Sequence, residues 1–189
     1  MTAVARRAYG ELDREQVVAA LQNLARRVGV QRVTMRELAA ELGAAVPSVY
    51  YHVPGKKAAL DLLAESVLGD IPEPAAGPWN QQLVELYGKS REVLLGVPGI
   101  AGVLQTNGDG ECARRLDRLS RELIAKSGLT DAKANAAHAV LYTYLLGSVS
   151  LEESRPPTIP KPSKRQAARR YRAGLAVILA GILASVEGR

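Results

Sequence analysis

Residues 34–57, TMRELAAELGAAVPSVYYHVPGKK, constrain the fold more than any other part of the chain. Thr34 followed by Glu37 is a capping box: the threonine oxygen accepts an orphan amide, and the glutamate reaches back. Leu38, Ala39 and Leu42 then share one helical face, with Arg36, Glu37 and Glu41 off it. Gly43 can take the left-handed conformation that ends a helix. Pro47 suits the first turn of a second helix, where a missing N–H costs nothing. Val49 and Val53 stand at i, i+4 spacing and point into a core, leaving Ser48, Tyr51 and His52 to face elsewhere. Pro54 and Gly55 stop that helix. A pair of short helices joined by a tight glycine turn, the second studded with hydroxyls and a histidine, is the pattern of a helix-turn-helix spanning about residues 34–53.

The rest of the chain continues in helical periods. Asp13 and Gln16 form another capping pattern, and Val17, Val18, Leu21, Leu24, Ala25 and Val28 give an apolar stripe over residues 13–28. A helix is expected from Lys56 through Leu60, Leu63 and Val67 to Leu68. Residues 69–78 hold Pro72, Pro74 and Pro78, which predicts a loop and places a domain boundary between 69 and 70. Helices follow over 79–94, 100–104, 111–126 and 130–153, then a proline-rich loop over 155–162 and a last helix over 163–187. That last helix is basic in its first half (Lys164, Arg165, Arg169, Arg170, Arg172) and apolar in its second. No strand pattern and no internal repeat is present, so the expected fold class is all-α.

Composition narrows the function. The chain has 189 residues, 47% of them hydrophobic, with no Phe and a single Trp, so the core must be aliphatic. Net charge is +6, which favours an anionic partner. The lone cysteine, Cys112, excludes an intrachain disulfide and points to a reducing, cytoplasmic compartment. No secretory signal is expected, and the longest apolar run, 175–186, is too short for a bilayer, which needs about 20 residues. No membrane partner follows. There is no Ser/His/acid set, no metal-ligand cluster and no phosphate-binding glycine loop, so an enzyme is not expected, nor a cofactor or metal.

The run Thr34, Leu38, Ala39, Leu42, Gly43, Tyr50, His52, Val53 and Lys56 resembles the DNA-binding domain of the tetracycline-repressor (TetR) family of bacterial transcription regulators. A fainter resemblance to the regulatory domain of the TetR branch extends through the rest. The resemblance implies an N-terminal three-helix DNA-binding domain over 1–69 and a C-terminal helical regulatory and dimerisation domain over 70–189. It implies that Thr34, Ser48, Tyr50, His52 and Lys56 hold phosphates. Thr34 and Lys56 also stand at helix N-termini, where amides and dipole favour an anion. Arg36 resembles the position that can read a guanine edge bidentately. Ala45, Val46 and Pro47 lead the recognition helix, and, being small and apolar, suit thymine methyls. Tyr51 is placed to contact sugar or a base edge. Tyr50 is expected to serve both core and contact. The stretch 44–46 departs from many relatives in offering no side-chain cap.

The same resemblance makes the second domain a ligand cavity and a homodimer interface. Residues 130–153 and 175–186 are apolar over more of their circumference than one buried face requires, and Gly147, Ser148, Gly174 and Gly181 permit close helix approach. Candidate cavity residues are Tyr87, Ser90, Leu104, Gln105, Asn107, His138 and Tyr142. The tetracycline repressor holds a metal–drug chelate with histidine and glutamate. Here Val103 and Leu104 occupy the histidine's stretch and Glu152 lacks its partner, so a different, apolar organic effector is expected. The leading expectation is a ligand-responsive repressor acting on a palindromic double-stranded DNA operator. The alternative is a constitutive, architectural DNA-binding protein with no effector.

Overall fold

A computed structural model describes residues 12–106, 109–156 and 158–187. Among them the chain is all-α, with nine α-helices and one 3₁₀ turn. Helix α1 (Arg14–Val28) is capped by Asp13, whose carboxylate accepts from the Gln16 amide at 2.7 Å. A 3₁₀ turn (Val30–Arg32), unforeseen in the sequence, leads into α2 (Met35–Leu42). Thr34 caps α2: its oxygen accepts from the Glu37 amide at 3.2 Å and its hydroxyl donates to the Glu37 carboxylate at 3.0 Å. Gly43, at φ 62° and ψ 28°, reverses the chain. Helix α3 (Val46–His52) follows, with no side-chain cap from Ala45. Helix α4 (Lys56–Gly69) completes the N-terminal half.

The second half comprises α5 (Trp79–Leu95), α6 (Ile100–Thr106), α7 (Glu111–Ala125), α8 (Asp131–Glu153) and α9 (Lys164–Glu187). The apolar core runs without interruption from Leu12 to Ile182. Its continuity passes through α4, which packs against α1 on one side and against α5, α6 and α7 on the other. Ala59, Leu63 and Val67 of α4 have no exposed surface.

Helix α9 lies on α8 and α5 and is tied there by aromatic contacts. The Tyr144 and Tyr171 rings stack with centroids 5.1 Å apart, and the Arg91 guanidinium sits 5.3 Å from the Tyr171 centroid. Gly174 makes this possible, because a β-carbon there would fall 2.1 Å from the Tyr144 hydroxyl. Around Gly147 and Gly181 there is instead open space.

Leu63 joins the layers of the fold, so its truncation is a direct test of that packing. Leu63→Ala should lower unfolding free energy by about 2–5 kcal/mol in urea denaturation, the range for a buried leucine that leaves a cavity. A loss below about 0.5 kcal/mol would contradict full burial at this position.

Candidate functional site

The helix-turn-helix presents a row of polar side chains on its solvent side. Leu38, Ala39, Leu42, Val49 and Val53 are buried, so Thr34, Arg36, Tyr50, Tyr51, His52 and Lys56 are turned outward and exposed. The Lys56 ammonium donates to the Gln31 carbonyl at 3.2 Å, which holds it beside the link between α1 and α2. Tyr51 and His52 meet edge to face at 5.3 Å and border a groove shared with Arg14, Asp61 and Glu65. Tyr51 is 80% exposed. One expectation needs correction. Tyr50 is 49% exposed rather than part of the core, because Val49 and Val53 already occupy the inward face of α3. Val46 leans on the core and is partly buried, so it protrudes less than Pro47. Ala45 and Ser48 are partly buried as well.

A cavity of about 270 Å³ opens between α4, α5, α6, α7 and α8. Leu68, Ile71, Leu86, Leu94, Leu104, Leu116, Leu145 and Leu146 supply its apolar wall. Tyr87, Ser90, Leu104, His138 and Tyr142 all line it. Gln105 does not: α6 turns Val103 and Leu104 inward, and Gln105 is exposed. Asn107 lies outside the described residues. Asp117, Ser120 and Arg114 of α7 also line the cavity, and sequence reading missed them. The signal was present: the α7 stripe of Leu116, Leu119 and Leu123 places Ser120 beside the buried face.

The polar groups of this wall are connected. The Tyr87 hydroxyl lies 2.9 Å from the Ser120 hydroxyl, which lies 3.1 Å from His138 Nδ1. His138 Nε2 is 2.9 Å from Asp117, which also takes the Arg121 guanidinium at 2.9 Å. Burial pushes the Tyr87 phenol up to about 12, so it stays protonated. Burial lowers the His138 pKa, the Arg121 charge lowers it further, and Asp117 opposes both. Glu152 is paired with the buried Arg91. No group of three or more His, Cys, Asp or Glu side chains able to hold a metal occurs among the described residues.

The depressed histidine has a consequence for stability. The unfolded chain takes up a proton on this residue near its ordinary value of about 6.5, above the native value. Stability is therefore full above that pH and falls as pH drops through it. His138→Asn should flatten the slope of Tm against pH between about 7.5 and 5.5. An unchanged slope would show that His138 is not held neutral by its surroundings.

The family model for bacterial regulatory proteins of the tetR family matches residues 17–64. An HTH-type transcriptional regulator of Saccharopolyspora erythraea is 34% identical over 146 residues, which cover 75% of this chain and 61% of that protein. The chain thus spans about three fifths of the length of that regulator. Mycobacterium smegmatis BioQ superposes with a TM-score of 0.80 at 25% identity, over 93% of this chain and 99% of that one. BioQ with its double-stranded DNA operator gives 0.77 at 25% identity, over 92% and 99%. A single-residue variant of TetR from Acinetobacter baumannii, in complex with minocycline, gives 0.75 at 26% identity, over 90% and 96%. The motif in residues 34–56 and the family match agree: residues 17–64 are a DNA-binding domain of the tetR family of bacterial regulatory proteins, and the rest of the chain shares the all-α fold of the solved members.

Proposed function

We propose that the chain is a ligand-responsive transcriptional repressor that binds a palindromic operator as a homodimer and is released by a small organic effector. One observation carries this reading: α4 borders both candidate sites. Its first residue, Lys56, stands in the exposed polar row, while Leu68 in its last turn and Ile71 just beyond line the cavity. A molecule filling the cavity therefore touches the helix that positions the DNA-facing residues. Residues 1–69 act as the DNA-binding domain and 70–189 as the regulatory and dimerisation domain.

On the DNA side, Thr34, Ser48, Tyr50, His52 and Lys56 hold phosphates, Arg36 reads a base edge, and Ala45, Val46, Pro47 and Tyr51 approach the groove. BioQ, similar in fold, has been solved on its operator. Half-sites about 34–36 Å apart require two recognition helices related by a two-fold axis. The dimer face is made by α8 and α9, which leave Val140 50%, Leu151 73%, Val177 72% and Leu183 41% exposed. Exposed apolar side chains beside the open Gly147 and Gly181 fit a second copy of the chain. The basic start of α9 is a solvated face of the same helix.

On the effector side, Tyr87, Ser90, Leu104, His138 and Tyr142 contact the ligand. The variant TetR of Acinetobacter baumannii, similar in fold, was solved with minocycline, an organic molecule. An effector that binds only dimers with the wrong recognition-helix spacing lowers operator affinity by its differential binding energy. No described helix is long and apolar enough to cross a membrane, and a regulator of chromosomal DNA acts in the cytoplasm.

A gel shift of the purified chain on its own upstream intergenic DNA tests the reading. Affinity should fall steeply with salt as counterions are released, by about 10³ or more between 50 and 200 mM. Tyr50→Ala combined with Lys56→Ala should abolish the specific shift. Equal binding by that variant would remove these residues from the interface. Sedimentation should give a species of about twice the 20.2 kDa chain mass. Val177→Arg should yield the monomer and weaken operator binding, and a dimer that survives this change would place the interface elsewhere.

A further inference from the structure

The hydrogens of the cavity wall can be assigned one by one. Asp117, as a carboxylate, only accepts, so His138 Nε2 carries the hydrogen of their 2.9 Å contact. A neutral imidazole then has a bare Nδ1, and burial keeps His138 neutral. The Ser120 hydroxyl must therefore donate to Nδ1 across 3.1 Å. A serine has one hydroxyl hydrogen, so Tyr87 must donate to Ser120 across 2.9 Å. The remaining hydroxyls are committed too. Ser90 donates to the Leu86 carbonyl at 2.7 Å, and Tyr142 donates to the Leu104 carbonyl at 3.3 Å.

Every hydroxyl and ring N–H of the wall thus gives its hydrogen to the protein. What remains toward the cavity is lone pairs: the oxygens of Tyr87, Ser120, Tyr142 and the Asp117 carboxylate. Arg114 is the one cation of the lining, and it lies exposed at the rim with its guanidinium on the Asp109 carbonyl. Arg121 is paired with Asp117 and does not line the cavity. We infer that the cavity selects apolar molecules carrying a hydrogen-bond donor, a hydroxyl or a protonated amine, and rejects carboxylates and acceptor-only analogues. A donor finds an unfilled lone pair, whereas away from the exposed Arg114 rim an ether oxygen or a carboxylate meets acceptors and the negative charge of Asp117. Mismatched polar groups in such a site lose their water without replacement. The inference rests on the reading of this cavity as the effector site and names the chemistry of its occupant.

Three bicyclic probes that differ only in the polar group test it: 2-naphthol, 2-methoxynaphthalene and 2-naphthoate. Their dissociation constants are measured on the full chain by calorimetry, with thermal shift as a second readout. The naphthol should bind roughly tenfold more tightly than the ether, and the naphthoate at least as weakly as the ether. Ser120→Ala removes the acceptor of Tyr87 and frees the phenol hydrogen to donate into the cavity. That variant should bind the ether more tightly than the wild type does and shrink the naphthol preference to within about threefold. Asp117→Asn should raise naphthoate affinity. The inference falls if the ether or the naphthoate matches the naphthol on the wild type. It falls as well if no probe binds, or if Ser120→Ala keeps the full preference. Operator binding by the same preparation is scored separately. A chain that discriminates the probes yet never shifts DNA would overturn the repressor reading and leave the donor selectivity standing.

Discussion

Helix α4 is packed on both sides, and the arrangement of both halves depends on that. A helix with one apolar stripe can bury it against one neighbour. Here Ala59, Leu63, Ala64, Val67 and Leu68 are buried together, too wide a face for a single partner, so α1 and the α5–α7 layer both claim it. The packing is reinforced by a directional bond. Glu65 of α4 accepts from the Cys112 amide at 2.6 Å, in the first turn of α7. A carboxylate there satisfies an otherwise unpaired helix-terminal amide and opposes the positive end of the helix dipole. Tilting α4 therefore disturbs α7, and α7 carries Ser120 and Asp117 on the cavity wall.

A second link joins the halves away from α4. The Val30 amide, in the 3₁₀ turn before α2, donates to the Pro98 carbonyl at 2.8 Å. The next residue, Gly99, donates its amide to Glu153 at the end of α8 across 3.1 Å. Burial raises the Glu153 carboxyl pKa, the Gly99 bond lowers it, and the Glu152 charge raises it again. The turn before α6 is thus held between the N-terminal half and α8. With the Glu65 contact, this gives two anchored points along the N-terminal half. Anchors at two points permit rotation about the line between them more readily than translation. In the proposed two-fold dimer, rotation is also the motion that changes the spacing of the two recognition helices.

The N-terminal half was legible because its signals are local. Asp13, Thr34 and Gly43 each act within a few residues, through a cap or a left-handed turn, so sequence order alone identifies them. Helix boundaries in the second half were legible for the same reason, from prolines and glycines in the loops. The cavity was legible only in part. Tyr87, Ser90 and His138 stand on or beside apolar stripes, whereas Asp117 stands on a helix rich in arginine and reads as solvated. Gln105 was misplaced because α6 is short and its inward face is fixed by contact with α8, not by its own periodicity. Tyr50 was misplaced too, because Val49 and Val53 already occupy the inward face of α3.

The absence of Phe gives the second half its particular architecture. An aliphatic core packs without direction, and leucine-rich helices can slide against one another at small cost. Tyrosine buries as much ring as phenylalanine but requires an acceptor for its hydroxyl. Tyr87 of α5 reaches Ser120 of α7, Tyr142 of α8 reaches the Leu104 carbonyl of α6, Tyr144 of α8 reaches the Tyr171 carbonyl of α9, and Tyr171 of α9 reaches the Tyr87 carbonyl of α5. Ser120 then returns to α8 through His138. The bonds close a circuit through α5, α7, α8 and α9, with α6 attached at one side. Each bond is satisfied at only one helix register, so the circuit sets registers that aliphatic packing leaves loose. It also fixes which atoms face the cavity, because a hydroxyl that holds two helices together has no hydrogen left for a ligand. The rigidity of the second half and the acceptor character of its cavity therefore share the hydroxyls of Tyr87, Ser120 and Tyr142.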